Sequence, residues 1–223
     1  MATIPALPTA PYPEALLLDD ILADAIAASD LDAVLTLVQE FAQTHPKPDR
    51  PLLLPTPGLY SQLDSTSARP LTPEESGSWF HLLLYNAGNS ALRAEQWQLA
   101  VELYKLALLG CSHPSLFNNL GSAYRRLGRF TEARRWFERA IAHDPEFLPG
   151  YLRAATVILV AGETPEDAHP HLATYASKGG QAAMVAGLLE SMPIEQAALA
   201  RPVFVLYFPE VALSSADGMD APT

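Results

Sequence analysis

Residues 117–145 read FNNLGSAYRRLGRFTEARRWFERAIAHDP, two amphipathic segments joined by a turn. In the first, Phe117, Leu120, Gly121 and Tyr124 stand at i, i+3, i+4 and i+7, which is one face of a helix. Gly128 follows; glycine ends a helix readily because it takes the left-handed conformation without a Cβ clash. In the second, Ala133, Phe137, Ala140 and Ile141 share a face, Phe130 enters ahead of them, and His143-Asp144-Pro145 closes the run. Small and large residues alternate. Gly121 and Ala133 let two backbones approach, while Tyr124, Phe130 and Phe137 fill the space on either side. A hairpin this small cannot bury its apolar face alone, so it is predicted to be one unit of a stack.

The register recurs on both sides. A shift of 33 residues towards the N-terminus sets Ala87, Gly88 and Ala91 under Leu120, Gly121 and Tyr124. It also sets Trp97, Ala100, Tyr104, Ala107 and Leu108 under Phe130, Ala133, Phe137, Ala140 and Ile141. A shift of 34 in the other direction gives a weaker copy: Tyr151, Ala154, Ala155 and Ile158, then Gly162. After Gly162 this copy slips by one residue, making Ala168 and Leu172 the counterparts of Ala133 and Phe137. Pro165 suits a first helical turn. Pro170 does not suit an interior, where it removes a hydrogen bond, so this helix is predicted to be kinked or to start late.

The run N-L-G-x-x-Y, G-x-F, A-x-x-x-F, A-I and a final Pro resembles the tetratricopeptide (TPR) repeat, whose period is about 34 residues. The resemblance implies an all-α fold: a short TPR superhelix of two strong repeats and one degenerate, over residues 73–178. An accessory helical hairpin is predicted at 14–45, where Leu18, Ile21, Leu22 and Ala25 share a face and Leu31, Val34, Leu35 and Val38 share another. That pair has the size of a repeat without its small–large signature. Residues 1–13 read as a disordered tail, and 46–72 as an extended Pro-rich connector. Thr72, Pro73 and Glu75 carry the marks of a helix start. Capping helices and an apolar segment are predicted over 179–210, and a second disordered tail over 211–223. The apolar run 203–208 is expected to fold back onto the helices, with a partner-binding strand as the alternative.

Composition narrows the function. The single cysteine, Cys111, excludes an internal disulfide, and no apolar run reaches the length of a membrane span. A soluble cytoplasmic protein is expected, with no membrane partner. The net charge of −11 is uneven: residues 81–153 hold nine Lys/Arg against six Asp/Glu, so this stretch is +3 and the remainder −14. Acidic arms around a basic core oppose nucleic-acid binding and suit an acidic peptide. There is no phosphate-binding loop, nucleophile elbow, Cys/His pair or CxxC set, so neither enzymatic activity nor a cofactor is expected. His169 and His171 lack further ligands at metal-binding spacing, so no metal site is expected either.

The resemblance also implies a peptide groove, lined by the first helix of each repeat. Its matching positions are Tyr85, Asn86, Asn89, Leu92 and Arg93; Asn118, Asn119, Ser122, Arg125 and Arg126; and Leu152, Arg153 and Thr156. Asparagine can hydrogen-bond a peptide backbone and arginine can hold a carboxylate. Asn89, Asn119 and Arg153 also match part of the carboxylate clamp of chaperone-binding TPR domains, whose two lysine positions are Tyr85 and Pro149 here. The expected function is a non-enzymatic adaptor that binds an extended, acidic partner segment through Tyr85, Asn89, Arg93, Asn119, Ser122, Arg126 and Arg153. The alternative is a dedicated secretion- or assembly-type chaperone for a hydrophobic client.

Overall fold

The computed structural model describes residues 13–45 and 79–215. The expected tail before Pro13, the connector 46–72, the helix start at Thr72 and the end of the C-terminal tail lie outside the described residues. Every regular element among the described residues is helical. They form two compact units, 13–45 with 79–112 and then 113–215. The fold is all-α and built from helical hairpins, as the periodicity requires.

The first unit holds α1 (Pro13–Ala27), α2 (Leu31–Thr44), α3 (Trp79–Arg93) and α4 (Trp97–Ala107). Asp30 caps α2, its side chain accepting from the Ala33 amide at 3.0 Å. Gly88 on α3 explains the close approach of α3 and α4: a Cβ there would lie 2.6 Å from the Tyr104 ring. Both α1 and α2 pack on α3. The Trp79 indole donates to the His45 carbonyl at 2.6 Å, fastening the start of α3 to the end of α2.

The turns reveal more than the apolar register did. Between α1 and α2, and again between α3 and α4, the reversal is made by a residue with positive φ: Ser29 at 54° and Glu95 at 61°. In the second unit Gly128 at 73° and Gly162 at 75° play the same part. Each turn closes with the same pair of bonds. The Asp30, Gln96, Arg129 and Glu163 amides donate to Ala25, Ala91, Tyr124 and Ile158, and the residue before each donates to the carbonyl one further on. Positions 29, 95, 128 and 162 lie on one repeat spacing if a unit is skipped between the first two. The 14–45 hairpin is therefore made with the repeat turn, and where Gly88 and Tyr104 stand in the next unit it holds Leu22 and Val38, both fully buried. Large and small have changed places, which is why the sequence signature is missing. Because Glu95 adopts a conformation that disfavours a Cβ, Glu95→Gly should raise stability by about 0.5–1 kcal/mol, read as a higher urea midpoint at unchanged slope.

The second unit holds α5 (Pro114–Arg126), α6 (Phe130–His143), α7 (Leu148–Val160), α8 (Pro165–Ser177), α9 (Ala182–Glu190) and α10 (Ile194–Tyr207), then a 3-10 segment (Pro209–Ser215). Pro114 opens α5 behind an extended His113, whose Nδ1 accepts from the Ser115 amide at 3.1 Å. A Cβ on Gly121 would lie 2.7 Å from the Phe137 ring, the same collision that Tyr104 imposes at Gly88. The one-residue slip of the third repeat is real: Ala168 and Leu172 are fully buried.

One expectation needs correcting here. α8 does not start late: it runs from Pro165, with Pro170 inside it. Proline at 170 frees the Glu166 carbonyl, and both residues are exposed, so water satisfies what the helix does not. Residues 203–208 pack onto the helices, the first of the two readings, rather than forming a strand. They continue α10 through Pro202, again on an exposed face, and bury Val203, Phe204 and Phe208. The chain then turns back, so residues expected in the C-terminal tail form the 3-10 segment, with Val211 buried. The last helix and this segment cover α7, α8 and α9 in one apolar cluster that includes Ile158, Leu172, Tyr175, Val185 and Phe204.

Candidate functional site

The first helices carry an unusual quantity of buried polar side chain. In the second unit Asn118, Asn119, Ser122, Arg153 and Thr156 are all buried. On α5 the core side is taken by Phe117, Leu120, Gly121 and Tyr124, which leaves Asn118, Asn119 and Ser122 on the rest of the circumference. They are tied together. Asn118 Nδ2 donates to Asn119 Oδ1 at 3.3 Å, and Ser122 Oγ donates to the Asn118 carbonyl at 2.9 Å. From α7, Arg153 Nη1 donates to Ser122 Oγ at 2.6 Å. Thr156, one turn beyond Arg153, donates to the Leu152 carbonyl at 2.6 Å.

Asn118 is the exception in this strip. It is 1 % exposed, and its Oδ1 has no hydrogen-bond partner. A buried carbonyl left so costs about 1–3 kcal/mol. Arg126, one turn past Ser122 on α5, is exposed. The strip therefore offers fixed amide groups, an acceptor still to be matched, a buried guanidinium and an exposed one. Such an array can hydrogen-bond a backbone and hold a carboxylate. Asn118 and Thr156, which complete the strip, were among the groove positions legible in the repeat register.

The sequence-derived residues of the first unit fare differently. Tyr85, expected on an open face, is fully buried with its ring 5.9 Å from that of Tyr104. Its helix, α3, packs against α1 and α2 as well as α4. Asn89 is buried and its Oδ1 accepts from the Tyr104 hydroxyl at 2.8 Å. Arg93 is exposed and paired with Asp19 of α1, which also takes the Ser90 hydroxyl. Asn119, Ser122 and Arg153 are thus brought together in the second unit, Arg126 stands one turn from Ser122, and Asn89 and Arg93 are engaged within the first unit.

The two histidines take different aromatic neighbours. His169 Nδ1 lies 2.8 Å from the Tyr207 hydroxyl, and His171 sits with its ring 6.3 Å from that of Tyr151. Among the described residues no group of three or more His, Cys, Asp or Glu is placed to hold a metal ion. Burial holds the His171 imidazole below its ordinary pKa; Glu138 opposes the shift and Arg134 adds to it. A depressed pKa favours the neutral form in the folded state, so the stability it confers is full above the unfolded value of about 6.5 and is lost as pH falls. His171→Gln should flatten the fall in melting temperature on the acid side of pH ~6.5.

A tetratricopeptide repeat family model matches residues 114–147, the hairpin of α5 and α6 in which glycine faces Phe137. The hairpin of α5 and α6 is a tetratricopeptide repeat, and the fold is that of tetratricopeptide-repeat proteins. The fold of the TPR protein is similar to that of YrrB, described as a TPR protein with an unusual peptide-binding site: TM-score 0.50, 15 % identity, 92 % of this chain and 91 % of that one. MamA aligns with TM-score 0.49 and 15 % identity over 94 % of this chain and 98 % of its own. In sequence, the protein O-mannosyl-transferase tmtc2 of Xenopus laevis is 30 % identical over 83 residues, 35 % of this chain. The TPR protein spans only 10 % of the length of that relative. TPR folds are protein-interaction scaffolds, and no helix among the described residues is long and apolar enough to cross a membrane.

Proposed function

We propose that this TPR protein is a non-enzymatic adaptor that binds an extended, acidic segment of a partner protein along the strip of α5 and α7. The observation that carries the reading is the unmatched Asn118 Oδ1 beside the Arg153–Ser122 bond. A buried acceptor is stabilised by a donor, and the backbone N–H of an extended peptide is the donor that repeats along its length. Arg153 and Arg126 supply the positive charge that an acidic segment requires. A chaperone for a hydrophobic client would need an apolar lining instead, and this strip is polar. Charge supports the same choice, because the 81–153 stretch is the basic part of an acidic chain.

The test is capture of the partner by affinity purification, followed by calorimetry of variants. Arg153→Ala should weaken binding roughly 10-fold or more, since a hydrogen bond to a charged group contributes about 1.5–3 kcal/mol. Arg134→Ala should change little, because that side chain is engaged with Glu138 and Glu163. Equal losses in both variants, or loss only at Arg134, would remove the strip from consideration.

A further inference from the structure

We propose a second docking surface, independent of the strip: the outer face of α10, which takes an amphipathic helix with an apolar stripe and Lys/Arg flanks from a partner protein. The inner face of α10 closes the apolar cluster, yet its outer face is also apolar. Ile194 is 87 %, Leu199 62 % and Leu206 69 % exposed. Leu199 and Leu206 are two helical turns apart on one line, with exposed Ala198 and Pro202 beside them. Two protruding leucines with small residues between are the knobs and holes on which another helix packs. A terminal repeat helix left in water ordinarily has a polar outer side.

The rim decides what covers the stripe. Exposed Glu195 stands one turn before Leu199 on the same line, and Glu190 and Glu210, in the helix before and the segment after, are exposed as well. The one cation between residues 179 and 215, Arg201, is turned aside to the Val211 carbonyl at 3.3 Å. An acidic rim around an apolar line is complementary to basic flanks around an apolar line. The same rim repels an anionic bilayer, and it sets like charges against each other if a second copy docks on the face.

The experiment uses the full chain and two designed helical peptides. Both carry leucines at i, i+3, i+4 and i+7; one is flanked by lysines and the other by glutamates. Fluorescence anisotropy should show the lysine peptide binding at least about tenfold more tightly than the glutamate peptide. Leu199→Ser with Leu206→Ser should weaken it at least about tenfold while the melting temperature holds, because both leucines are already exposed. Glu195→Lys with Glu210→Lys should reverse the preference, and Arg153→Ala should leave it unchanged. The proposal fails if the lysine peptide does not bind, or if it binds the serine variant as well as the parent. It also fails if sedimentation shows a dimer that the serine variant dissolves, which would make the face a self-interface. Uptake of the parent, and not the serine variant, by anionic vesicles would overturn it in favour of a lipid surface.

Discussion

Gly121→Leu is expected to abolish the cooperative unfolding transition of the second unit. The glycine Cα faces the Phe137 ring so closely that even the first added carbon would stand 2.7 Å from it. Overpacking a tight core costs about 1–3 kcal/mol when neighbours can yield. Phe137 cannot yield far, because it is fully buried. A leucine adds three more carbons beyond the first. Set against a total stability of about 5–15 kcal/mol, that is a large loss. The collision has one partner, so it has a specific remedy. Gly121→Leu combined with Phe137→Ala should regain much of the loss, as the first hairpin does with Leu22 and Val38 in the corresponding places. Circular dichroism in urea measures both. A stable single variant, or a double variant no better than the single, would contradict this account of the repeat contact.

Phe204→Ala is expected to cost about 3–5 kcal/mol, the range for removing a buried aromatic ring. Phe204 is fully buried among the residues that close α7, α8 and α9, whereas Leu206, two positions on, faces water. Leu206→Ser should therefore change stability by no more than about 0.5 kcal/mol, and the contrast between the two is the test. Deleting 202–223 goes further. It removes Val203, Phe204, Phe208 and Val211 together and uncovers the cluster they close. The shortened chain should bind a hydrophobic dye and associate with itself. A monomeric, dye-silent product with an unchanged melting temperature would show that α10 is dispensable to the core.

The repeats were legible because their contacts need one small and one large residue at fixed spacing. Gly88 with Tyr104 and Gly121 with Phe137 leave that imprint, and even the slipped pair Ala168 and Leu172 could be traced. The first hairpin was seen as a pair but not as a repeat turn. Leu22 and Val38 reverse the size rule, and Ser29 and Glu95 adopt positive φ without being glycine. That 203–208 packs on the helices was legible; that it continues α10 was not. Pro202 ordinarily ends a helix, but on an exposed face water satisfies the carbonyl it frees. The polar strip was legible as a set of positions. The packing of α1 and α2 on α3 involves residues about 35 or more apart in sequence and left no local mark.

The position of the last helix sets a constraint on synthesis. Residues 149–159 of α7 are buried on nearly every side, and part of that cover is supplied by α10. A ribosome has to add about fifty further residues after α7 before Phe204 and Val211 exist. At about 5–20 residues per second, the nascent chain carries an uncovered apolar helix for several seconds. The third hairpin therefore cannot mature as soon as it emerges, although its own two helices are complete. A stop codon anywhere between 160 and 200 should yield a product that is degraded or held by chaperones, while one placed after Ser215 should spare it.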